Sequence, residues 1–181
     1  MFFGVMALQK NCMGGNEMNI KIMTRTAMLT ALYVVLSMSI KFPVYGNIQF
    51  DLGYVALAVS CLFGGWVAAF VGGVGAAIES TVMSPYGISV GWIVMNVIIG
   101  LCVGSFAKKV LFCERRDVLA LLFVIIAAVC AGAFCKGLIE CWLYQIPFIV
   151  KLPKILSAWA IDAFVMVASV PIVKFFQKIL F

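Results

Sequence analysis

Residues 52–78 limit what this chain can become more than any other stretch: 27 positions without a charged side chain, bounded by Asp51 and Glu79. As one straight helix this run extends roughly 40 Å, against a bilayer hydrocarbon core of about 30 Å. At its centre lies Leu62-Phe63-Gly64-Gly65-Trp66, and paired glycines both weaken a helix and permit a tight turn. The run is therefore either one long tilted span or two short helices meeting at the glycines. The choice decides on which side of a membrane every later loop lies.

A membrane is required by the composition. The chain is 65% hydrophobic and only 11% charged, with a mean hydropathy of +1.17, whereas a soluble domain carries about a quarter charged residues. The surplus apolar surface must face lipid, and the apolar runs are continuous, unlike the alternating strands of a β-barrel. The expected class is an all-α integral membrane protein. Residues 1–20 read as an N-terminal cytoplasmic extension and 21–181 as one membrane domain. Residues 2–8 are too short to span and no small-residue cleavage site follows, so no signal peptide is expected. Met13 and Met18 leave a later natural start open.

Spans are expected at 21–40, within 52–78, and at 88–107, 118–144 and 155–173. Pro43 ends the first, residues 44–51 read as a loop, Ser84-Pro85-Tyr86-Gly87 as a turn, and Pro147 and Pro153 bracket a further connection. Basic residues settle the opening question. With a turn at Gly64-Gly65 there are six spans, and Lys10, Lys21, Arg25, Lys108, Lys109, Arg115, Arg116, Lys174 and Lys178 share a side with both termini. Only Lys41, Lys151 and Lys154 fall opposite. A single span would export the basic loop at 108–117, against the positive-inside tendency. Six spans follow, with both termini cytoplasmic.

Several function classes drop out. The chain has no histidine, and its seven cysteines form no Cys-x-x-Cys pair, so neither a zinc site nor a disulfide framework is expected. No nucleophile–base pair supports an enzyme, and no cofactor is implied. Gly72-Gly73-Val74-Gly75 lacks the Gly-Lys-Ser/Thr ending of a phosphate loop; with Ala68, Ala69, Ala76 and Ala77 it reads as a helix-packing surface. The net charge of +6 belongs to cytoplasmic loops, not to a nucleic-acid interface.

Glu79, Lys136, Glu140 and Asp162 lie within or at the edge of spans, where a charge costs a few kcal/mol or more and so faces a cavity or another such group. By span direction they fall, with Trp92 and Asn96, in the outer half of the membrane. Lys136, Glu140 and Tyr144 share one helical face, as do Trp92 with Asn96 and Trp159 with Asp162. Together with Tyr45 and Gln49 in the 42–51 loop, taken as a lid, and Tyr86 in the 80–87 loop, they outline an aromatic-lined cavity for a small organic ligand. Each residue also has a plainer role open to it. Lys136 and Glu140 could pair within their helix, Trp92, Tyr144 and Trp159 could form an interfacial belt, Glu79 could be solvated, and Asn96 could bond a neighbouring helix.

Thr24-Arg25-Thr26-Ala27-Met28-Leu29-Thr30-Ala31, Ile48-Gln49-Phe50-Asp51-Leu52-Gly53-Tyr54, the Leu62–Trp66 turn and a small-residue span ending in Glu79 follow one another in an order that resembles the substrate-binding S component of an energy-coupling-factor (ECF) vitamin transporter. The resemblance covers residues 21–178. It implies capture of a vitamin-like ligand at the outward face and docking on a transmembrane coupling (T) protein bound to two cytoplasmic ATPases. The family's Ala-x-x-x-Ala docking motif falls on Ala27 and Ala31. The rival reading is a self-sufficient secondary transporter or channel, with Glu79, Glu140 or Asp162 carrying protons.

Overall fold

The computed structural model describes residues 15–39, 41–45, 48–83, 87–110 and 116–180. The first helix, α1 (Gly15–Ser39), leads into a two-stranded hairpin, β1 (Lys41–Tyr45) and β2 (Ile48–Asp51). Then come a short α2 (Gly53–Ser60) continued by a 3₁₀ turn (Cys61–Phe63), α3 (Gly65–Met83), α4 (Val90–Val110), α5 (Arg116–Tyr144), α6 (Phe148–Ala168) and α7 (Val170–Leu180).

The expected break inside the uncharged run is present. Gly64 sits at φ 119° and ψ 165°, a conformation that a residue with a Cβ rarely adopts, and it separates α2 from α3. Five helical stretches among the described residues are long and apolar enough to cross a membrane, and Gly53–Phe63 is a sixth, shorter apolar helix. It reaches only about 18 Å. Seven of the eight α2 residues are buried, as expected for a helix apolar on every side.

Three elements differ from the sequence expectation. Residues 44–51 were expected as loop, but 48–51 form a strand antiparallel to 41–45, with Lys41 opposite Asp51 and Phe42 opposite Phe50. The register slips between Pro43 and Tyr45, where proline has no N–H to give the ladder. Secondly, Pro153 lies inside α6 instead of bounding it. Pro147 caps the helix at φ −57°, so the connection shrinks to residues 145–147 and α6 starts seven residues before the expected 155. Thirdly, the last span breaks at Ser169, which still donates its N–H and its hydroxyl to the Val165 carbonyl. Pro171 then cannot continue the ladder, and α7 follows. α1, for its part, starts at Gly15, so the end of the expected 1–20 extension is helical.

The helices are not arranged in chain order. α3 packs on α4, α4 on α5, α5 on α6, and α1 on both α2 and α3. α6 touches β2 and α2, which sets the hairpin beside α6 and helps to enclose α2. The glycine and alanine stripe acts as the sequence implies. A Cβ on Gly100 would lie 2.6 Å from the backbone of Ala68 and Ala69, and one on Gly104 would lie 2.8 Å from the Gly65 Cα. α3 and α4 therefore meet backbone to backbone, the contact that substitutes for a hydrophobic driving force inside lipid. Large apolar side chains such as Trp66 and Phe123 point outward.

Gly100→Leu is expected to prevent α3 from seating on α4, giving aggregated protein or a thermal midpoint lower by many degrees in detergent. Phe123→Leu, on the exposed face of α5, should move that midpoint by little. Equal midpoints for the two variants would contradict the packing described.

Candidate ligand-binding site

The site begins on α1. Thr26, Thr30, Tyr33 and Ser37 are buried and recur at helical spacing, so one hydroxyl-bearing stripe faces inward. The two threonines donate to carbonyls one turn back, which satisfies their own hydroxyls in an apolar setting. The Tyr33 ring lies against Gly75 of α3, where any side chain would collide with it. Its hydroxyl donates to Oδ1 of Asn96 at 3.5 Å, and the Asn96 amide donates to the Trp92 carbonyl at 2.9 Å. Asn96 also touches Gly72. Three helices thus share one polar node at the depth of the glycine stripe.

From Trp92 the site rises toward the α5–α6 connection. Tyr54 of α2 stands edge-on to Trp92, with centroids 6.2 Å apart. The Lys136 ammonium lies 4.1 Å from the centroid of the same indole, a cation–π contact. Lys136, Glu140, Lys151 and Lys154 line a cleft between α4, α5 and α6, with Met95, Ile155 and Ala158 as its apolar part. Glu140 accepts from Lys151 at 2.9 Å, and the Lys151 ammonium sits 5.2 Å from the Tyr144 ring. Below the cleft Asp162, only 3% exposed, neighbours Tyr54 and lies within electrostatic reach of Lys136, Asp51 and Glu79. Asp51 accepts the Gly53 N–H at 2.7 Å, which closes the step from β2 into α2.

Of the residues singled out in the sequence, Glu79, Trp92, Asn96, Lys136, Glu140 and Asp162 belong to this connected set. Glu140 takes Lys151 of α6 as its partner, not Lys136 one turn away on its own helix. Tyr144 is 54% exposed, with the Lys151 ammonium beside its ring. Trp159 donates its indole N–H to the Ile126 carbonyl at 3.4 Å, pinning α6 to α5. Tyr45 and Gln49 are on β1 and β2, but their side chains, and all of Tyr86, lie outside the described residues. Asp162 is deeper than expected. Because α6 starts at Phe148, Asp162 stands about 21 Å along that helix, well beyond its first turns.

Sequence reasoning passed over Tyr33, Ser37, Asp51 and Tyr54. A tyrosine with a serine four residues on, and an aspartate two before a helix-opening glycine, were the available signals.

Fold and site together define a six-helix membrane protein with a polar, aromatic cleft reaching inward from one end. Residues 17–178 match the family described as the ECF-type riboflavin transporter, S component, and the chain belongs to that family. In overall structure it is similar to the crystal structure of the S component for biotin from an ECF-type ABC transporter. The TM-score is 0.70 at 18% identity, over 92% of this chain and 95% of that one. In sequence it is similar to a "UPF0397 protein" of Streptococcus thermophilus, in two strains, at 32% identity over 93 residues. The chain spans about half the length of these curated relatives.

The Glu140–Lys151 pairing is testable by double-mutant cycles on thermal stability. Glu140→Gln with Lys151→Met should show a coupling of about 1 kcal/mol, and Glu140→Gln with Lys136→Met a smaller one. The reverse order would place the ion pair within α5.

Proposed function

We propose that this protein is the substrate-binding subunit of an ECF-type vitamin importer. It holds a vitamin or related micronutrient in the α4–α5–α6 cleft and passes it inward when docked on a transmembrane coupling protein that carries two cytoplasmic ATPases. The observation that carries this reading is the line of groups from Lys154 through Lys136, Trp92 and Tyr54 to Asp162. Charged and aromatic groups converge between helices otherwise apolar enough to cross a membrane, the arrangement of a small-molecule site. Riboflavin, from the family match, and biotin, from the structural likeness, are the first ligands to try.

The exterior supports docking through α1. Ala27 and Ala31 are both exposed, so both keep surface open to a partner helix. Ala27 also lines an apolar groove shared by α1 and α3, with Met23, Thr26, Trp66 and Phe70. Two small residues one turn apart leave a flat strip on which another helix can lie closely.

Ala27→Trp should abolish vitamin uptake in cells while leaving ligand affinity within about twofold, because the substitution lies outside the cleft; loss of binding as well would refute that division. In liposomes the protein alone should accumulate no ligand without the coupling protein, the ATPases and ATP. Uptake by the chain alone, driven by a pH gradient, would instead establish the self-sufficient transporter.

A further inference from the structure

α6 and α7 together are longer than the membrane they cross. From Phe148 to Leu180 the helical path rises about 50 Å, against a hydrocarbon core of about 30 Å. Lys154 and Lys174 stand about 30 Å apart along it, and Asp162 is the only charged residue between them. A span seated between those two lysines leaves the rest of α7 at the surface, on the side that the basic residues mark as cytoplasmic. Pro171 removes one backbone bond at the joint after Ser169, which frees α7 to lean away from the α6 axis.

The residues of α7 are sorted by face. Val170 and Val173, three apart, are buried, and the helix packs on α2 and α6. Ile172, Phe175 and Phe176 turn away from that side and are exposed, Phe175 by 63%. Lys174 is exposed as well. With Lys178 one turn on, it occupies the edge between the packed side and the apolar one. No acidic residue follows Asp162, and Lys174 forms no ion pair among the described residues. In water this helix would bare three large apolar side chains together. In hydrocarbon it would bury ammonium groups. Only the headgroup layer suits both faces.

We propose that α7 is an interfacial helix that binds anionic phospholipid of the cytoplasmic leaflet. Lys174 and Lys178 hold the headgroup phosphate, and Ile172, Phe175 and Phe176 lie against the acyl chains. The charge pattern selects the lipid: a zwitterionic headgroup carries its own cation, whereas an anionic one leaves its phosphate charge for the lysines. The contact fastens the inner end of α6, the helix that gives Lys154, Ile155 and Ala158 to the cleft. It depends neither on what the cleft holds nor on which partner supplies ATP hydrolysis.

The test places the full chain, with Phe175→Trp as reporter, in nanodiscs of equal phosphatidylglycerol and phosphatidylcholine. One lipid or the other carries bromine on its acyl chains, and the parent chain's own tryptophan signal is subtracted. Brominated phosphatidylglycerol should quench the added tryptophan about twofold more than brominated phosphatidylcholine, or better, because each lysine beside an anionic leaflet favours that lipid severalfold. Lys174→Gln with Lys178→Gln should bring the ratio to about one while both lipids still quench. Should Phe175→Trp disturb folding, Phe176→Trp reports from the same exposed face. Equal quenching by the two lipids in the reporter chain overturns the proposal, as does an undiminished ratio in the double glutamine variant. Quenching by neither lipid also overturns it and would place this face against protein instead.

Discussion

The ring of Tyr33 resting on the bare backbone of Gly75 is the contact on which the rest of the interior depends. Lipid is as apolar as leucine, so burying apolar side chains does little to hold membrane helices together, and close packing must do it. Gly75 lets a tyrosine fill the space between α1 and α3, and the filled space aims its hydroxyl at Asn96. Gly72 brings Asn96 near, and Gly100 lets α4 approach α3 closely. A side chain at any of these glycines would push apart the helices that bring the polar groups to one node. The small residues are therefore part of the site, although none of them offers a functional group.

Above that node the polar groups are arranged by what lipid forbids. A charge facing acyl chains is costly, and Lys136, Glu140, Lys151 and Lys154 each meet an aromatic face, an opposite charge or the cleft. Lys136 lies on Trp92, and Glu140 reaches across to Lys151. That second choice joins α5 to α6 beside the cleft, so the ion pair holds the two helices that a ligand would lie between. Trp159, bonded to the Ile126 carbonyl, repeats the same join further along α6. Between these two fastenings α6 presents Lys154, Ile155 and Ala158 to the cleft, and Asp162 follows one turn after Ala158.

Much of this was legible from residue order. The uncharged run with its central glycine pair announced two short helices, and Gly64 takes the backbone conformation that only such a residue adopts readily. Helical spacing placed Trp92 with Asn96, and Lys136 with Glu140. The hairpin was passed over because Lys41-Phe42-Pro43 looked like a stop signal, although alternating apolar residues on either side of Gly46-Asn47 carry a hairpin pattern. Pro153 misled in a different way. Proline is costly within a helix but not forbidden, and treating it as a boundary made Asp162 seem shallower than it is. Side-chain partners were beyond reach, since spacing along one helix says which groups share a face and nothing about what stands opposite. Glu140 had a neighbour on its own helix and took one from another.

Residue order alone determined that this chain is a helical membrane protein with six apolar segments, a break at Gly64 and a handful of polar groups that must turn inward, because hydropathy, charge and helical period are local properties. Only the tertiary structure decided that Tyr33 and Tyr54 join those groups, that Glu140 pairs across α6, and that the polar line descends to Asp162. Those outcomes depend on which helices become neighbours. Here that is settled by where glycine allows two backbones to touch, a choice among distant segments that no local pattern encodes.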